Sequence, residues 1–400
     1  MLKKLGVRDL PLTGAKVLTR VDFNVPLDKE RRVADATRME ASLPTIRYMI
    51  EKGTRVILMS HLGRPKGKRV DSMSLVPVAE KLTSFLHKDV AFAEDCVGEP
   101  AKKAVDSLRD GDVALLENLR FHPGEEANDD EFSRQLASLG ELYVNDAFGS
   151  AHRAHASTVG VTKHIKLCAA GFLMQKEVEY LGKVLEEPGR PFVAILGGAK
   201  VSDKIGIARN LLGKLDKLII GGGMMYTFFA AKGLDVGRSI LEPKSVPIAR
   251  DIMEEARKKG VELLLPVDCL VSRSASEAAE TREVLAEEIP DELAGVDIGP
   301  RAIEEFREAL EGAKTVLWNG PMGVFEIDAY SRGTVEIAHI LADATAAGAV
   351  TVIGGGDSAA AINKEGLEHR VSHVSTGGGA SLEFLEGREL PGIAALSNKD

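Results

Sequence analysis

Nine short runs of Val, Ile and Leu, each closed by a turn and followed by a stretch with helical spacing, constrain this chain more than any other feature. They occupy residues 16–21, 55–59, 112–116 and 142–144, and then 192–196, 217–220, 261–265, 315–318 and 350–353. Strands without polar alternation suit a sheet covered by helices on both faces, so the rhythm predicts α/β architecture with parallel pairing. Nine strands are too many for one small sheet, and 400 residues are more than one domain usually holds. Between the fourth and fifth runs, residues 171–187 place Val178, Leu181, Val184 and Leu185 at helical spacing, and the pattern stops at Pro188 and Pro191. The spacing predicts two parallel-sheet, three-layer (Rossmann-like) domains over 1–172 and 191–387, joined by a helix and hinge over 173–190.

Composition separates the two parts chemically. Only 12 of the 40 glycines lie in residues 1–172, whereas six of the nine histidines do. A formal charge of -9 argues against a nucleic-acid or anionic-membrane partner. The longest uncharged apolar stretch, 218–231, is too short to span a bilayer. Cys96, Cys168 and Cys269 are far apart and form no Cys-x-x-Cys or Cys/His pattern, so all three are expected to be buried, in a reducing compartment. The first seven residues carry two lysines with no apolar run behind them, so no secretory signal is expected and the cytoplasm is the expected location. The acidic stretch 125–131 reads as a solvated loop and helix start. No internal repeat is evident.

Ligands of parallel sheets gather at the carboxyl ends of strands. In the first part those ends deliver Arg20, Asp22 and Asn24; Ser60, His61 and Arg64; Glu117, Asn118 and Arg120; and Asn145, Asp146, His152, Arg153 and His155. Arginine forks bind carboxylate and phosphate through paired charged hydrogen bonds, and their repetition on successive strands implies a small polyanionic ligand. His87 and His164 have no such placement and read as structural or exposed. The second part delivers glycine: Gly197 and Gly198, Gly221 to Gly223, Gly320 and Gly323 beside Asn319, Gly354 to Gly356 before Asp357 and Ser358, and Gly377 to Gly379. Such turns let a backbone approach phosphate closely and present N–H groups at helix N-termini. Lys200 and Lys204, four apart, are expected on one face of a helix beginning at this turn, with Asp357 placed to hold Mg2+ and Glu326 to take ribose hydroxyls.

Known nucleotide signatures fail. No Gly-Lys is followed by Ser or Thr, and no His-Arg-Asp catalytic loop is present. Gly354, Gly356 and Ala359 fit a relaxed dinucleotide fingerprint, but the next apolar run, 371–375, ends without the ribose-binding acid. From the residues alone, a nicotinamide-dependent dehydrogenase and a non-catalytic nucleotide-binding scaffold stay open beside a phosphotransferase.

Seven ordered motifs resemble those of the phosphoglycerate kinase family: RVDFNVP at 20–26, SHLGRP at 60–65, ENLRF at 117–121, NDAFGSAHRAHAS at 145–157, AILGGAKVSDK at 194–204, WNGPMGVFE at 318–326 and GGGDS at 354–358. The resemblance implies that Asp22, Asn24, Arg38, His61, Arg64, Arg120 and Arg153 bind 3-phosphoglycerate, and that Arg38 and Lys200 are catalytic. It implies nucleotide binding by Lys204, Gly221, Gly222, Gly223, Gly295, Asn319, Glu326, Gly355, Gly356, Asp357 and Ser358, with Asp357 as the Mg2+ ligand. Arg38 and Gly295 enter only through the resemblance. It further implies a C-terminal segment, 388–400, that packs back on the first domain, and Ser358 stands where many members have Thr. Residues 269–282 match the family pattern poorly, and nothing is carried over from them. The implied reaction is reversible phosphoryl transfer between 1,3-bisphosphoglycerate and MgADP, giving 3-phosphoglycerate and MgATP, by a monomer with hinge closure and no nucleic-acid or membrane partner.

Overall fold

The computed structural model describes residues 3–399, and they divide into two compact units. The first comprises residues up to Glu179 together with a return segment from Glu389; the second runs from Tyr180 to Arg388. The chain passes from one to the other inside a single helix, Phe172–Glu186.

The first unit is built on six strands, β1 (Lys16–Arg20), β2 (Arg55–Met59), β3 (Val90–Ala93), β4 (Val113–Leu116), β5 (Leu142–Asn145) and β6 (Cys168–Ala170). They form one all-parallel sheet in the order β3-β4-β2-β1-β5-β6. Every residue of β4 and β5 is buried, which explains the absence of polar alternation in the sequence. On one face Val17, Val56, Leu58, Val113 and Leu115 meet Met39, Leu43 and Ile46, which repeat at helical spacing along the helix Thr37–Glu51. Each such side chain contributes roughly 1.5–3 kcal/mol when fully buried. The return segment is tied into this unit by backbone hydrogen bonds: Gly392 N to Ala151 O at 2.8 Å, Ser397 N to Cys168 O at 2.9 Å and Leu5 N to Ser397 O at 2.8 Å.

The second unit carries β7 (Phe192–Leu196), β8 (Lys217–Ile220), β9 (Glu262–Leu264), β10 (Asp268–Ser272), β11 (Thr281–Leu285), β12 (Ala294–Ile298), β13 (Thr315–Asn319), β14 (Val350–Gly354) and β15 (His373–Val374). Six of these form a parallel sheet in the order β15-β14-β13-β7-β8-β9. The remaining three make a small antiparallel sheet, β11-β10-β12. The parallel α/β expectation holds for both large sheets. The nine strands read from the sequence fall short of the fifteen among the described residues by six: β3 and β6 are short edge strands, β15 has two residues, and β10, β11 and β12 make the small antiparallel sheet, of which β11 is largely exposed and charged.

In each large sheet the direction of strand addition reverses beside the first strand, at β1–β5 and at β7–β13. Loops leaving such neighbours diverge and leave a crevice. The basic residues of the first unit and the glycine turns of the second lie there.

Candidate active-site surfaces on two units

The first unit's surface is assembled around three polar ties. Asn24 Oδ1 accepts from Gly63 N at 2.9 Å, which fixes the loop after β1 to the loop after β2. Arg120 Nη1 donates to Gly63 O at 2.8 Å, and its Nε lies 3.2 Å from Glu126. Arg38 Nη1 donates to Asn24 O at 3.2 Å and lies 3.4 Å from Asp22 Oδ2. Asp22, Asn24, Arg38, His61 and Arg120 are thereby brought together. Arg153, half-buried, donates from Nε to His152 at 3.1 Å, and Arg64 is exposed.

The electrostatics report this convergence. His61 is buried, and burial, followed by the charges of Arg20, Arg120, Arg153 and Arg38, holds its pKa well below the ordinary histidine value. Burial also lowers the pKa of Arg120, with Arg153 and Arg20 acting in the same direction and Glu126 opposing. Four guanidinium groups around one neutral imidazole form a concentrated field for an anion.

Two acidic residues of the same strand ends do structural work. Glu117 accepts from Ser74 Oγ at 2.7 Å, Leu75 N at 2.9 Å and Asn118 N at 2.8 Å. Glu125, expected in a solvated stretch, is instead completely buried and accepts from Ser157 through both carboxylate oxygens. The run is acidic in sequence, but the turn at Pro123 points this one side chain inward to a hydroxyl and a backbone N–H that the segment after β5 supplies.

In the second unit a cleft of about 420 Å3 is lined by Gly198, Gly222, Gly223, Gly295, Glu326 and Asp357, with Tyr226, Ile240, Val296, Met322 and Val324 forming its apolar wall. The small antiparallel sheet supplies one side through Gly295, whose absent side chain matters: a Cβ there would sit 1.9 Å from the Tyr226 hydroxyl. Gly222 takes φ of +62°, and a Cβ would strike Gly198 N and Pro321 O at 2.5 Å. Tyr226 and Ile240 had no distinguishing mark in the sequence, since apolar residues lining a flat slot look like core.

The glycine turns contact one another before any ligand. Gly197 N donates to Asn319 O at 2.9 Å, Gly198 N to Pro321 O at 2.8 Å, Gly221 N to Leu196 O at 2.9 Å and Gly222 N to Met322 O at 3.0 Å. Those four N–H groups are therefore occupied, contrary to the expectation that they present themselves to phosphate. The turn after β14 differs. Gly356, Asp357 and Ser358 open the helix Gly356–Lys364, and first-turn N–H groups have no partner within a helix. Ser358 is buried and its hydroxyl accepts from Gly320 N at 2.6 Å, while Gly355 adopts φ of +89° beside Asn319.

Lys200 and Lys204 are not on a helix. The helix starts at Ile205, and both lysines lie in the turns before it, because Lys204 N bonds back to Val201 O at 2.9 Å. Lys200 is exposed, without an ion pair among the described residues; Lys204 is half-buried and bonded to Asn319 Oδ1. Burial lowers the pKa of Lys204, against the opposing charges of Asp203, Asp357 and Glu386. Asp357 is exposed, and no hydrogen bond or ion pair among the described residues engages its carboxylate, which leaves hard oxygen donors available for a divalent cation.

The three cysteines are buried and unpaired with one another. Although the sequence shows no Cys/His pattern, the fold brings Asp95, Cys96 and His122 within 4.8 Å of one another; His122 Nε2 lies 2.6 Å from Asp95 Oδ1. Among the described residues no helix is long and apolar enough to cross a membrane.

The family model for phosphoglycerate kinase matches residues 7–388. The chain is 55% identical over 397 residues to a phosphoglycerate kinase of Chlorobium limicola, covering 99% of this chain and 100% of that one. It is also 55% identical over 387 residues to that of Thermosynechococcus vestitus, covering 97% and 96%. The solved structure of phosphoglycerate kinase from Coxiella burnetii superimposes with a TM-score of 0.88 at 40% identity, covering 98% of each chain. With the arginine-rich strand ends of one unit and the glycine-lined cleft of the other, these matches establish that the chain belongs to the phosphoglycerate kinase family.

Proposed function

We propose that this enzyme transfers a phosphoryl group reversibly between the acyl phosphate of 1,3-bisphosphoglycerate and MgADP, giving 3-phosphoglycerate and MgATP, as a cytoplasmic step of glycolysis and gluconeogenesis. The observation that carries this reading is the neutral, buried His61 surrounded by Arg20, Arg120, Arg153 and Arg38, a surface suited to a small molecule with phosphate and carboxylate groups.

Asp22, Asn24, Arg38, His61, Arg64, Arg120 and Arg153 then hold the phosphoglycerate on the first unit. Asp22 and Asn24 orient rather than neutralise: the first pairs with Arg38 and the second fixes the His61–Arg64 loop. Gly222, Gly223 and Gly295 leave a flat slot for the base, Glu326 faces the ribose, and the N–H groups after Gly355 take phosphate. Gly221, Asn319 and Ser358 hold the loops in place, and Lys204 is poised at the phosphates from its position on Asn319. Asp357 is the residue that would hold Mg2+, whose charge offsets that of the nucleotide phosphates.

The acceptor oxygen is already anionic in either direction, so no general base is required. Arg38 and Lys200 neutralise charge on the transferring group, and in-line positioning supplies the rest. Ligands held by separate units react only when the units close on them, which also excludes water from an acyl phosphate that it would hydrolyse. A coupled assay of ATP-dependent phosphorylation of 3-phosphoglycerate tests the reading; absence of turnover with both substrates saturating would overturn it.

A further inference from the structure

Glu125 takes no part in the reaction described above, yet it is fully buried and precisely directed protons connect it to the centre of the basic surface. Ser157 donates its backbone N–H to Oε2 at 3.0 Å and its hydroxyl proton to Oε1 at 2.6 Å. The same hydroxyl oxygen lies 2.9 Å from Arg20 Nε. A guanidinium only donates, so Ser157 must accept there, and its single proton is committed to Glu125. Burial raises the Glu125 pKa, and the Arg20 charge and the two Ser157 hydrogen bonds oppose that rise; with the carboxylate ionised, the direction of the relay is fixed at both bonds.

Arg20 is itself buried, and its Nη2 lies 3.0 Å from Nδ1 of His61. Here too only the arginine can donate. An imidazole nitrogen that accepts carries no proton, so neutral His61 holds its proton on Nε2. A doubly protonated ring would set N–H against N–H, and the other charged groups acting on it, Arg120, Arg153 and Arg38, are all cationic. The acid at the relay's far end has its own neighbour, His155, 3.7 Å from Glu125 Oε1, whose pKa is driven down to about 4 by burial and the charges of Arg20, Arg120 and Arg153, so that ring is also neutral.

We propose that Glu125 is a positioning residue: through Ser157 and Arg20 it holds His61 as a neutral donor whose N–H, on Nε2, is reserved for an oxyanion oxygen of the phosphoglycerate. The inference rests on the reading of this surface as the substrate site. It explains why a carboxylate lies beneath a surface built to attract anions: Glu125 balances and anchors the buried Arg20, whose donors are engaged by Ser157, Val21 O and His61. His61 recognises its ligand without taking up a proton on binding.

The test begins with the ligand-free wild-type protein labelled with 15N in histidine, the His61 signals being assigned by their loss in His61→Gln. Nδ1 is expected to be pyridine-like and Nε2 pyrrole-like, unchanged across roughly pH 5.5–8. Ser157→Ala cuts the relay and is expected to mix the two tautomers and raise the KM for 3-phosphoglycerate roughly tenfold, with the KM for nucleotide unchanged. Glu125→Gln is expected to act in the same direction; should it fail to fold, the wild-type spectrum and Ser157→Ala still decide. A proton on Nδ1, a titration near 6.5, or a change of tautomer without a change of KM (or the reverse) would overturn the proposal. Because the spectrum is recorded without substrate, a protein with this tautomer but no turnover defeats the reading of the site, whereas an active enzyme with the other tautomer defeats only this inference.

Discussion

Lys200 and Lys204 stand four positions apart in opposite surroundings: one exposed and without an ion pair, the other half-buried against Asn319. A side chain that waits in solvent contributes little to the resting state and most to the transition state. Lys200→Ala is therefore expected to lower kcat by roughly 10² to 10³ with nucleotide Kd nearly unchanged, and a loss below about threefold in stopped-flow or steady-state assays would reject its role. Calorimetry separates the two surfaces: Arg64→Ala and Arg153→Ala should weaken 3-phosphoglycerate binding and spare MgADP, and Glu326→Ala should do the reverse. Asp297 offers a test of stability. Burial pushes its carboxyl up to about 7, against hydrogen bonds from Gly333 N at 2.7 Å and Ile298 N at 2.9 Å. The folded state then binds a proton that the unfolded chain has lost above its ordinary 3.8, so this group's contribution to stability falls as pH rises from about 4 to about 7. Denaturant unfolding should show Asp297→Asn gaining on the wild type across that window; a constant difference would contradict the assignment. The arginines at strand ends were legible because charge at the end of an apolar run stands out. Arg38, on a helix, and Glu125, in an acidic run, carried no such contrast, and only the fold shows what they face.

At the scale of elements, the all-parallel sheets were legible because burial on both faces removes polar alternation from β4, β5 and β7. The antiparallel sheet was not, since β11 is exposed over Thr281, Arg282 and Glu283 and its sequence has no apolar period. Helix boundaries failed where a turn intervened: four-residue spacing suggested a helix at Lys200 and Lys204, but the chain continues in turns as far as Ile205. The return segment provides an element-scale test. Besides its backbone bonds, Gly392 O accepts from Asn145 Nδ2 at 3.1 Å, and Lys4 Nζ donates to Ala394 O and Leu396 O at 2.7 and 2.8 Å. Asn145 begins the loop that leads to Arg153. Removing residues 389–400 is expected to lower the melting temperature of the first unit and weaken 3-phosphoglycerate binding while MgADP binding persists; equal loss of both would show that the segment supports the whole chain instead.

For the whole molecule, the proposed reaction demands that both ligands favour closure together more than either does alone, because each contacts one unit until the other arrives. Small-angle scattering should give the smallest radius of gyration for the ternary complex, and an unchanged radius would count against closure. The division of the chain has another consequence, in the order of synthesis. The second unit, Tyr180 to Arg388, is one continuous stretch, so none of its residues waits on later synthesis. The first unit emerges earlier but cannot make its bonds to Gly392 and Ser397 until these residues follow the whole of the second. The usual N-terminal-first sequence of domain completion is thereby inverted, and under the proposed assignment of sites the nucleotide cleft is finished before the phosphoglycerate surface.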